Sequence, residues 1–584
     1  MIDSSLEPDV LSTINYWLRS DIDKETKDEI NELLEKEPLK LKDAFCKKLE
    51  FGTGGMRSLV GAGTNRLNKY TIQMATQGLA NYINQQKIEN PSVAISFDNR
   101  THSRFFAEET AKVLSANNIK VYFTKNLRPT PYVSFACREL KCTAAVMITA
   151  SHNPPEYNGY KVYWSDGGQV LPPHDRSIIE EYNKITDFSQ IKTGSLNNER
   201  IEFIDEDFDQ LYFAKMRENI FDKELLSKEG NKLELVYTNL HGTGITLAPK
   251  AFEMLGFNNF ETVKKQESVD GSFPFAKKPN PEEKEALQLG IDQLIANNKD
   301  ILIANDPDAD RMAAVVNHQD EAIILTGNQI ASILVYYICE MLSEQNQLGK
   351  NMAFVKSIVT TDLFKEIVES YNMTCFDVLT GFKYIADKIN EFEQTKSHTF
   401  VFGAEESYGY LKGTYCRDKD GILAACLLSG VALKQKLKNK TLLDLLFEIY
   451  HKFGLYREGQ KSIHFGENRD SHQKMQSIMK ILRENPPKLI AESEIKQIDD
   501  YLTLKSLDLT TDMRKDIKLP QSDVLGFTLS DKTKIIVRPS GTEPKIKIYA
   551  SVMEKNVNDL SQDIKKTDAR LSNYLTLFSN EITQ

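Results

Sequence analysis

Short apolar runs punctuate most of this chain, and between them apolar residues recur every three or four positions. Runs of four to six apolar residues predict buried strands, and the 3.6-residue recurrence predicts amphipathic helices. Residues 93–97 predict a strand that ends at Asp98-Asn99-Arg100, and residues 103–117 a helix with Phe106, Val113 and Leu114 on its apolar side. Residues 119–123 predict the next strand, residues 131–140 a second helix, and residues 144–148 a further strand. The grammar repeats: strands are expected at 233–238 and 301–304, then at 352–356, 375–379 and 399–402, with helices at 283–297, 328–342 and 422–433. Strands alternating with helices imply mostly parallel sheets covered on both faces. Residues 1–50 read as charged helices around Leu33, Leu34, Leu39 and Leu41, and residues 459–520 as charged and helix-rich, broken at Pro486-Pro487. Short strands at 524–529, 534–537 and 545–552 and a last helix close the chain.

The expected fold class is therefore α/β: three similar α/β domains with mixed, mostly parallel sheets, plus a C-terminal α+β domain, arranged around one cleft. A chain of 584 residues is too long for one core and suggests about four domains. The expected boundaries are a helical extension at 1–50 packed on the first domain, then domains at 51–204, 205–325, 326–455 and 456–584.

In sheets of this kind ligands gather at the C-terminal ends of strands, and polar clusters follow the apolar runs. The run at 144–148 leads into Thr149-Ala150-Ser151-His152-Asn153-Pro154-Pro155. Prolines cannot continue a strand, so Ser151 is expected on a tight turn with its hydroxyl pointing outward. Such a serine is either a turn residue or a nucleophile. Lys161 opens the next apolar run; alone it reads as a solvated strand-end charge, beside a nucleophile as a proton or phosphate holder. After the run at 301–304 comes Asn305-Asp306-Pro307-Asp308-Ala309-Asp310-Arg311. Three carboxylates at every second position make a hard oxygen site for a divalent cation. A calcium loop of the EF-hand type is excluded by Arg311 at its sixth position and Asn317 at its twelfth. Thr380-Gly381-Phe382-Lys383 and Gly403-Ala404-Glu405-Glu406-Ser407-Tyr408-Gly409 follow later runs, and Arg417-Asp418-Lys419-Asp420-Gly421 adds charge to the same rim. Glu405, Glu406 and Ser407 suit sugar hydroxyls, although a helix N-terminus reads similarly. Two loops suit phosphate: Gly52-Thr53-Gly54-Gly55-Met56-Arg57, and Arg538-Pro539-Ser540-Gly541-Thr542-Glu543-Pro544-Lys545. The first lacks the Lys-Ser/Thr ending of a nucleotide-binding P-loop.

Composition narrows the class. With 73 basic against 83 acidic residues the net charge is −10, which disfavours a nucleic-acid surface. The seven cysteines are scattered without a CxxC pair, so neither a disulfide framework nor a zinc site is indicated. The N-terminus lacks the basic and apolar regions of a signal peptide, and no apolar stretch suits a bilayer span. A cytoplasmic protein without membrane or nucleic-acid partners is expected.

A serine nucleophile, a carboxylate metal site, a sugar reader and a phosphate cradle together specify phosphoryl transfer on a phosphosugar. Taken in order, the Ser151, Asp306–Arg311, Gly403–Gly409 and Arg538–Thr542 motifs resemble those of the α-D-phosphohexomutase superfamily across nearly the whole chain. The N-terminal segment and the 51–57 loop resemble the branch with phosphoglucomutase-2-like and phosphopentomutase-active enzymes. The resemblance implies a phosphoserine at Ser151 and a magnesium ion held by Asp306, Asp308, Asp310 and a phosphate oxygen on Ser151. It implies proton movement by Lys161 and His152, and a phosphoserine steadied by Arg57 and Arg311. Sugar or substrate contacts fall to Arg311, Thr380, Gly381, Lys383, Glu405, Ser407 and Lys419, and phosphate contacts to Arg538, Ser540, Gly541, Thr542 and Lys545. Ala404 departs from the expected Gly-Glu-Glu-Ser, and counting back from Ser407 selects Glu405. The implied reaction converts hexose 1-phosphate and hexose 6-phosphate, with glucose the first choice. It runs through a bisphosphate, with glucose 1,6-bisphosphate as activator and a monomer or weak homodimer as the assembly. Mannose or pentose phosphates remain alternative substrates, and sugar-bisphosphate synthesis an alternative activity. An inactive scaffold is disfavoured because no motif residue is missing, and a serine phosphatase because a separate phosphate cradle is present.

Overall fold

The computed structural model describes residues 6–51, 55–466, 469–540 and 545–583. They divide into two compact units. One takes the chain up to Ile324 together with Gly409–Leu433, the other Leu325–Tyr408 together with the chain from Lys434 on.

The first unit opens with helices Pro8–Arg19, Lys24–Lys36 and Pro38–Phe45. Two of them begin on proline, whose fixed φ and missing N–H suit a first helical position. The other is capped by Asp23, which accepts from the Thr26 N–H. Val10, Ile14, Trp17, Ile30, Leu41 and Phe45 form one apolar cluster with Ala62 and Tyr70, which ties these helices to the helix Lys69–Gln85. Leu39 instead faces water at 80% exposure.

Behind them lies a six-stranded sheet in the order Gly55–Leu59, Tyr157–Trp164, Ala144–Ile148, Ser92–Phe97, Lys120–Thr124, Ile201–Ile204. The last four strands run parallel, while Tyr157–Trp164 is antiparallel to both of its neighbours. All five residues of Ala144–Ile148 are buried, as a strand covered on both faces requires. Alternation decides the side: Ala144, Val146 and Ile148 join one apolar cluster, Ala145 and Met147 the other. Phe97 and Ile148 are in register, so Asp98 and Thr149 leave the sheet side by side.

In the same unit, Ile301–Asn305 runs parallel to Leu235–Thr238 and antiparallel to Met312–His318. Asn305 pairs with Met312, so the stretch 306–311 is the turn of a hairpin.

The second unit holds the parallel strands Thr374–Val378, Met352–Ser357 and Thr399–Glu405, with helices Gly327–Glu344, Asp362–Ser370 and Phe382–Thr395. The strand Thr399–Glu405 outruns the expected 399–402, so Glu405 ends a strand instead of sitting on a loop. An antiparallel sheet follows, in the order Leu455–His464, Lys545–Glu554, Lys534–Pro539, Leu525–Leu529, Ser493–Asp500, Lys505–Asp508, Met513–Asp516. The helix-rich expectation for 459–520 is corrected here: the described residues hold one long helix, Arg469–Glu484, among four of these strands and the short strand Leu489–Ile490. These strands are at most half-buried over much of their length and carry charge on their wet side, so their alternation is diluted and resembles a solvated helix.

Candidate active site

Ser151 stands three residues beyond the strand Ala144–Ile148, on a turn begun by the Thr149 side chain, whose hydroxyl accepts the Ser151 N–H at 2.8 Å. Its φ of 51° lies in the left-handed region, which for a residue with a Cβ costs about 1–2 kcal/mol. Something must hold that conformation, and one buried guanidinium does. Arg100 donates through Nη2 to the carbonyls of Ser151 and Asn153, and through Nη1 to those of Pro154 (2.8 Å) and Tyr157 (2.9 Å). Asp98 balances it at 3.5 Å, and both side chains are entirely out of water. The Asp98 carboxylate also takes the Arg100 N–H and the Ser103 hydroxyl, and the Phe273 ring lies 5.1 Å from the guanidinium. Neither Arg100 nor Asp98 was assigned a role from the sequence. The available signal was their place at the end of the neighbouring parallel strand.

The Ser151 hydroxyl does not point outward. The residue is buried, and its Oγ donates to Asp306 Oδ2 at 2.6 Å and lies 3.0 Å from His152 Nδ1. Burial, then Arg311 and Arg57, push the half-buried His152 well below the usual imidazole range, so it is neutral at pH 7. Arg57 is exposed and donates to Asn153 Oδ1 at 2.7 Å.

Asp306, Asp308 and Asp310 are all buried, and one ligand oxygen from each lies within 4.8 Å of the others. The hairpin is fixed from several sides. The Arg311 N–H donates to Asp306 Oδ1 at 3.0 Å. The Thr130 hydroxyl donates to Asp308 Oδ2 at 2.7 Å, and the Thr130 N–H to the Asp308 carbonyl at 2.9 Å. The Pro307 carbonyl accepts from the N–H and the hydroxyl of Thr243 at 2.7 and 2.9 Å. A Cβ on Gly242 would fall 2.2 Å from Pro307 Cα, so this approach requires glycine. Thr130, Gly242 and Thr243 also went unassigned from the sequence.

Lys161 sits in the middle of the strand Tyr157–Trp164, not at its start, and is buried. Its Nζ is 2.8 Å from Asp308 Oδ2 and 3.4 Å from Asp310 Oδ2. Burial opposes its charge, but the two aspartates outweigh burial and raise its pKa, so it is an ammonium. Lys419 reaches Asp310 Oδ2 at 3.0 Å and Asp418 at 3.2 Å, with Asp418 held by Tyr163 and Gln169. The structure thus puts Lys419 on the aspartate cluster. Arg311 Nη1 reaches Glu282 at 2.6 Å.

The donor set fits a hard divalent cation. Asp308 Oδ1 and Asp310 Oδ1 are buried and have no hydrogen-bond partner. Burial first, then Asp308 and Asp310, drive the Asp306 pKa well up, as expected for buried carboxylates brought together without a counter-charge. All-oxygen donors at this spacing suit magnesium, manganese or calcium.

In the second unit the Gly381 N–H donates to Glu405 Oε1 at 2.8 Å, and the Ser357 hydroxyl to Glu406 Oε2 at 3.1 Å. Gly381 has a φ of 122°, and Thr380 beside it is half-buried. Ser407 and Lys383 are half-buried, and the Lys383 ammonium lies 5.1 Å from the Tyr384 ring. Ala404 is fully buried inside its strand opposite Lys356, so the residue that departs from the expected motif belongs to the sheet. Arg538 pairs in register with Lys547, and the Ser540 N–H donates to the Lys545 carbonyl at 2.8 Å, which holds the ends of the two strands together. Gly541 and Thr542 lie outside the described residues, as do Gly52, Thr53 and Gly54.

Three family models match the chain in order. They describe α/β/α domain I of phosphoglucomutase/phosphomannomutase (residues 48–188), domain II (210–319) and domain III (326–453). A phosphoglucomutase of Staphylococcus haemolyticus is 37% identical over 89% of this chain and 93% of its own length. One of Staphylococcus aureus is 36% identical over 90% and 93%. Among solved structures, the open form of the Paramecium phosphoglucomutase parafusin shares the fold with a TM-score of 0.66 at 18% identity, covering 91% of this chain and 96% of its own. A phosphoglucomutase/phosphomannomutase family protein of Burkholderia thailandensis gives a TM-score of 0.62 at 18% identity, covering 89% and 96%.

Proposed function

The chain belongs to the phosphoglucomutase/phosphomannomutase family, and from that membership we propose that it interconverts α-D-glucose 1-phosphate and glucose 6-phosphate through a phosphorylated Ser151. The observation that carries the reading is the 2.6 Å contact between the Ser151 hydroxyl and Asp306 of the three-aspartate cluster.

At rest Ser151 Oγ holds a phosphoryl group. Asp306, Asp308 and Asp310 would hold Mg²⁺, which would supply positive charge to the transferring phosphoryl oxygens. The free hydroxyl of the bound sugar phosphate attacks phosphorus, the bond to Ser151 Oγ breaks, and a sugar bisphosphate forms. The bisphosphate turns over, and its other phosphoryl group returns to Ser151. A proton moves from the attacking hydroxyl to the departing serine oxygen in the first half and back in the second. His152 Nδ1, neutral and 3.0 Å from Oγ, is placed to hold it, and the Lys161 ammonium supplies fixed positive charge at Asp308. Lys419 does the same at Asp310. Arg57 and Arg311 act as anion holders around the phosphoserine. Glu405 and Ser407 read the sugar hydroxyls in both orientations, with Thr380, Gly381 and Lys383 beside them. Arg538, Ser540, Gly541, Thr542 and Lys545 hold the phosphate that is not being transferred, and catalytic glucose 1,6-bisphosphate restores any enzyme that loses its phosphate.

The test is a coupled assay for conversion of glucose 1-phosphate to glucose 6-phosphate. Mannose 1-phosphate and ribose 1-phosphate are run beside it, with Mg²⁺, and with or without a trace of glucose 1,6-bisphosphate. Turnover of glucose 1-phosphate that is fastest of the three and stimulated by the bisphosphate is expected. Activity on none of the three overturns the mutase reading, and a faster rate with mannose or ribose phosphate overturns the choice of glucose.

A further inference from the structure

Within the second unit, the turn assigned to sugar recognition and the turn assigned to phosphate are joined by a chain of charged groups that the reaction itself does not use. Lys534 begins the strand Lys534–Pro539, whose far end carries Arg538 about 13 Å away at ~3.3 Å per residue. Its ammonium pairs with the carboxylate of Asp362, the first residue of the helix Asp362–Ser370. The same carboxylate lies 3.1 Å from Lys356 Nζ, which also meets Asp377 at 2.8 Å and the Thr360 carbonyl at 3.0 Å. Next to Lys356, the Ser357 hydroxyl bonds Thr360 Oγ1 at 2.8 Å and Glu406 Oε2 at 3.1 Å. Glu406 adjoins Glu405. The chain therefore runs from the strand that bears Arg538 to the end of the strand that bears Glu405.

Two features separate positioning from mere stabilisation. The Lys534–Asp362 pair is partly exposed, with 46% and 24% of the two side chains in water; such a pair adds only about 0.2–1 kcal/mol to stability. The rest of this contact is mainly apolar, with Val359 and Leu379 in one cluster with Val524, Ile536 and Tyr549; it also holds the looser, exposed pair Lys555–Glu366 at 3.5 Å. Apolar packing is non-directional and tolerates sliding, whereas an ion pair anchored on a helix start and a strand start fixes one register.

We propose that the Lys534–Asp362 pair sets the spacing between the Glu405–Ser407 turn and Arg538 on its strand, which makes Lys534 and Asp362 positioning residues for the phosphate that is not being transferred. The proposal rests on the mutase reading above. Removing Lys534 leaves Asp362 neutralised by Lys356, so Lys534→Met strands no buried charge and the fold persists.

The experiment measures initial rates of full-length wild type, Lys534→Met, Lys534→Arg and Ser357→Ala with glucose 1-phosphate, together with calorimetric binding of glucose 6-phosphate and thermal midpoints. Lys534→Met is expected to raise KM and the glucose 6-phosphate Kd about three- to fivefold, the most that a pair of this strength can shift a register, with kcat and the midpoint little changed. Lys534→Arg is expected to stay near wild type. The double variant Lys534→Met/Ser357→Ala is expected to lose less than the product of the single losses, because both cut one chain. A wild-type-like KM and Kd in Lys534→Met, or strictly multiplicative losses, overturns the link while wild-type turnover keeps the mutase reading. A wild type that neither turns over nor binds the sugar phosphate removes both.

Discussion

The Ser151 hydroxyl and the Asp306 carboxylate, 155 residues apart in the chain, meet at 2.6 Å inside one compact unit. A mixed α/β sheet contributes the serine and a separate hairpin the aspartate, and each turn is held by groups that take no part in the contact. The geometry joins a nucleophile to a cation site before any ligand arrives, so little reorganisation is needed on binding.

Ser151→Ala should lower turnover by about three orders of magnitude or more, as removal of a nucleophile does in other enzymes. Incubation with ³²P-labelled glucose 1,6-bisphosphate should label the wild type and leave the variant unlabelled. Full activity in Ser151→Ala would show that phosphate is carried elsewhere.

Gly242→Ala should damage the cation site without touching a ligand. The added methyl group would meet Pro307 backbone 2.2 Å away, and backbone cannot swing aside as a side chain can. A tenfold to hundredfold weaker affinity for Mn²⁺ is expected, in the range of about 10–100-fold seen when outer-shell supports of metal sites are lost. Calorimetry with Mn²⁺ reads it directly, and an unchanged affinity would mean that the hairpin adapts.

Arg100 should matter twice. Arg100→Met leaves Asp98 buried without its partner, a change that costs about 3–5 kcal/mol and should show as a lower denaturation midpoint. Arg100→Lys keeps the charge but cannot serve four carbonyls in two directions. Its kcat should fall about tenfold to hundredfold with KM nearly constant, because the nucleophile is misplaced while the phosphate loop is intact.

Glu458 gives stability a pH dependence of known sign. Burial raises its pKa to about 7 from the ordinary 4.5, with Thr361 and Arg457 only partly opposing. The folded state therefore keeps a proton that the unfolded chain releases. The contribution of Glu458 favours the folded state most below pH 4.5, is lost as pH rises from about 4.5 to about 7, and is a constant penalty above that. Across that window the urea midpoint of the wild type should fall relative to that of Glu458→Gln, which lacks the titrating carboxyl.

Some of this was open to the sequence because it is local. The apolar run before Ser151, the two-residue spacing of Asp306, Asp308 and Asp310, and the proline-started helices at the N-terminus each need only neighbours in the chain. Period and composition located the α/β strands within a few residues. The antiparallel strands of 459–520 failed to register because their wet faces carry charge and their alternation is weak.

Only the tertiary structure decided what surrounds each turn. No spacing rule connects Arg100 to the carbonyls of Ser151, Asn153, Pro154 and Tyr157, Thr130 and Lys161 to Asp308, or Gly242 to Pro307. Those contacts depend on which strands lie side by side and where a hairpin ends. Lys161 shows the difference most plainly. As a letter in the chain it read alone as a solvated strand-end charge, and beside a nucleophile as a proton or phosphate holder. In the fold it is a buried mid-strand ammonium, kept charged by Asp308 and Asp310. The order of residues determined which chemical groups were available and which turns would present them. Packing determined which were taken out of water together, and that sets their charge and reach.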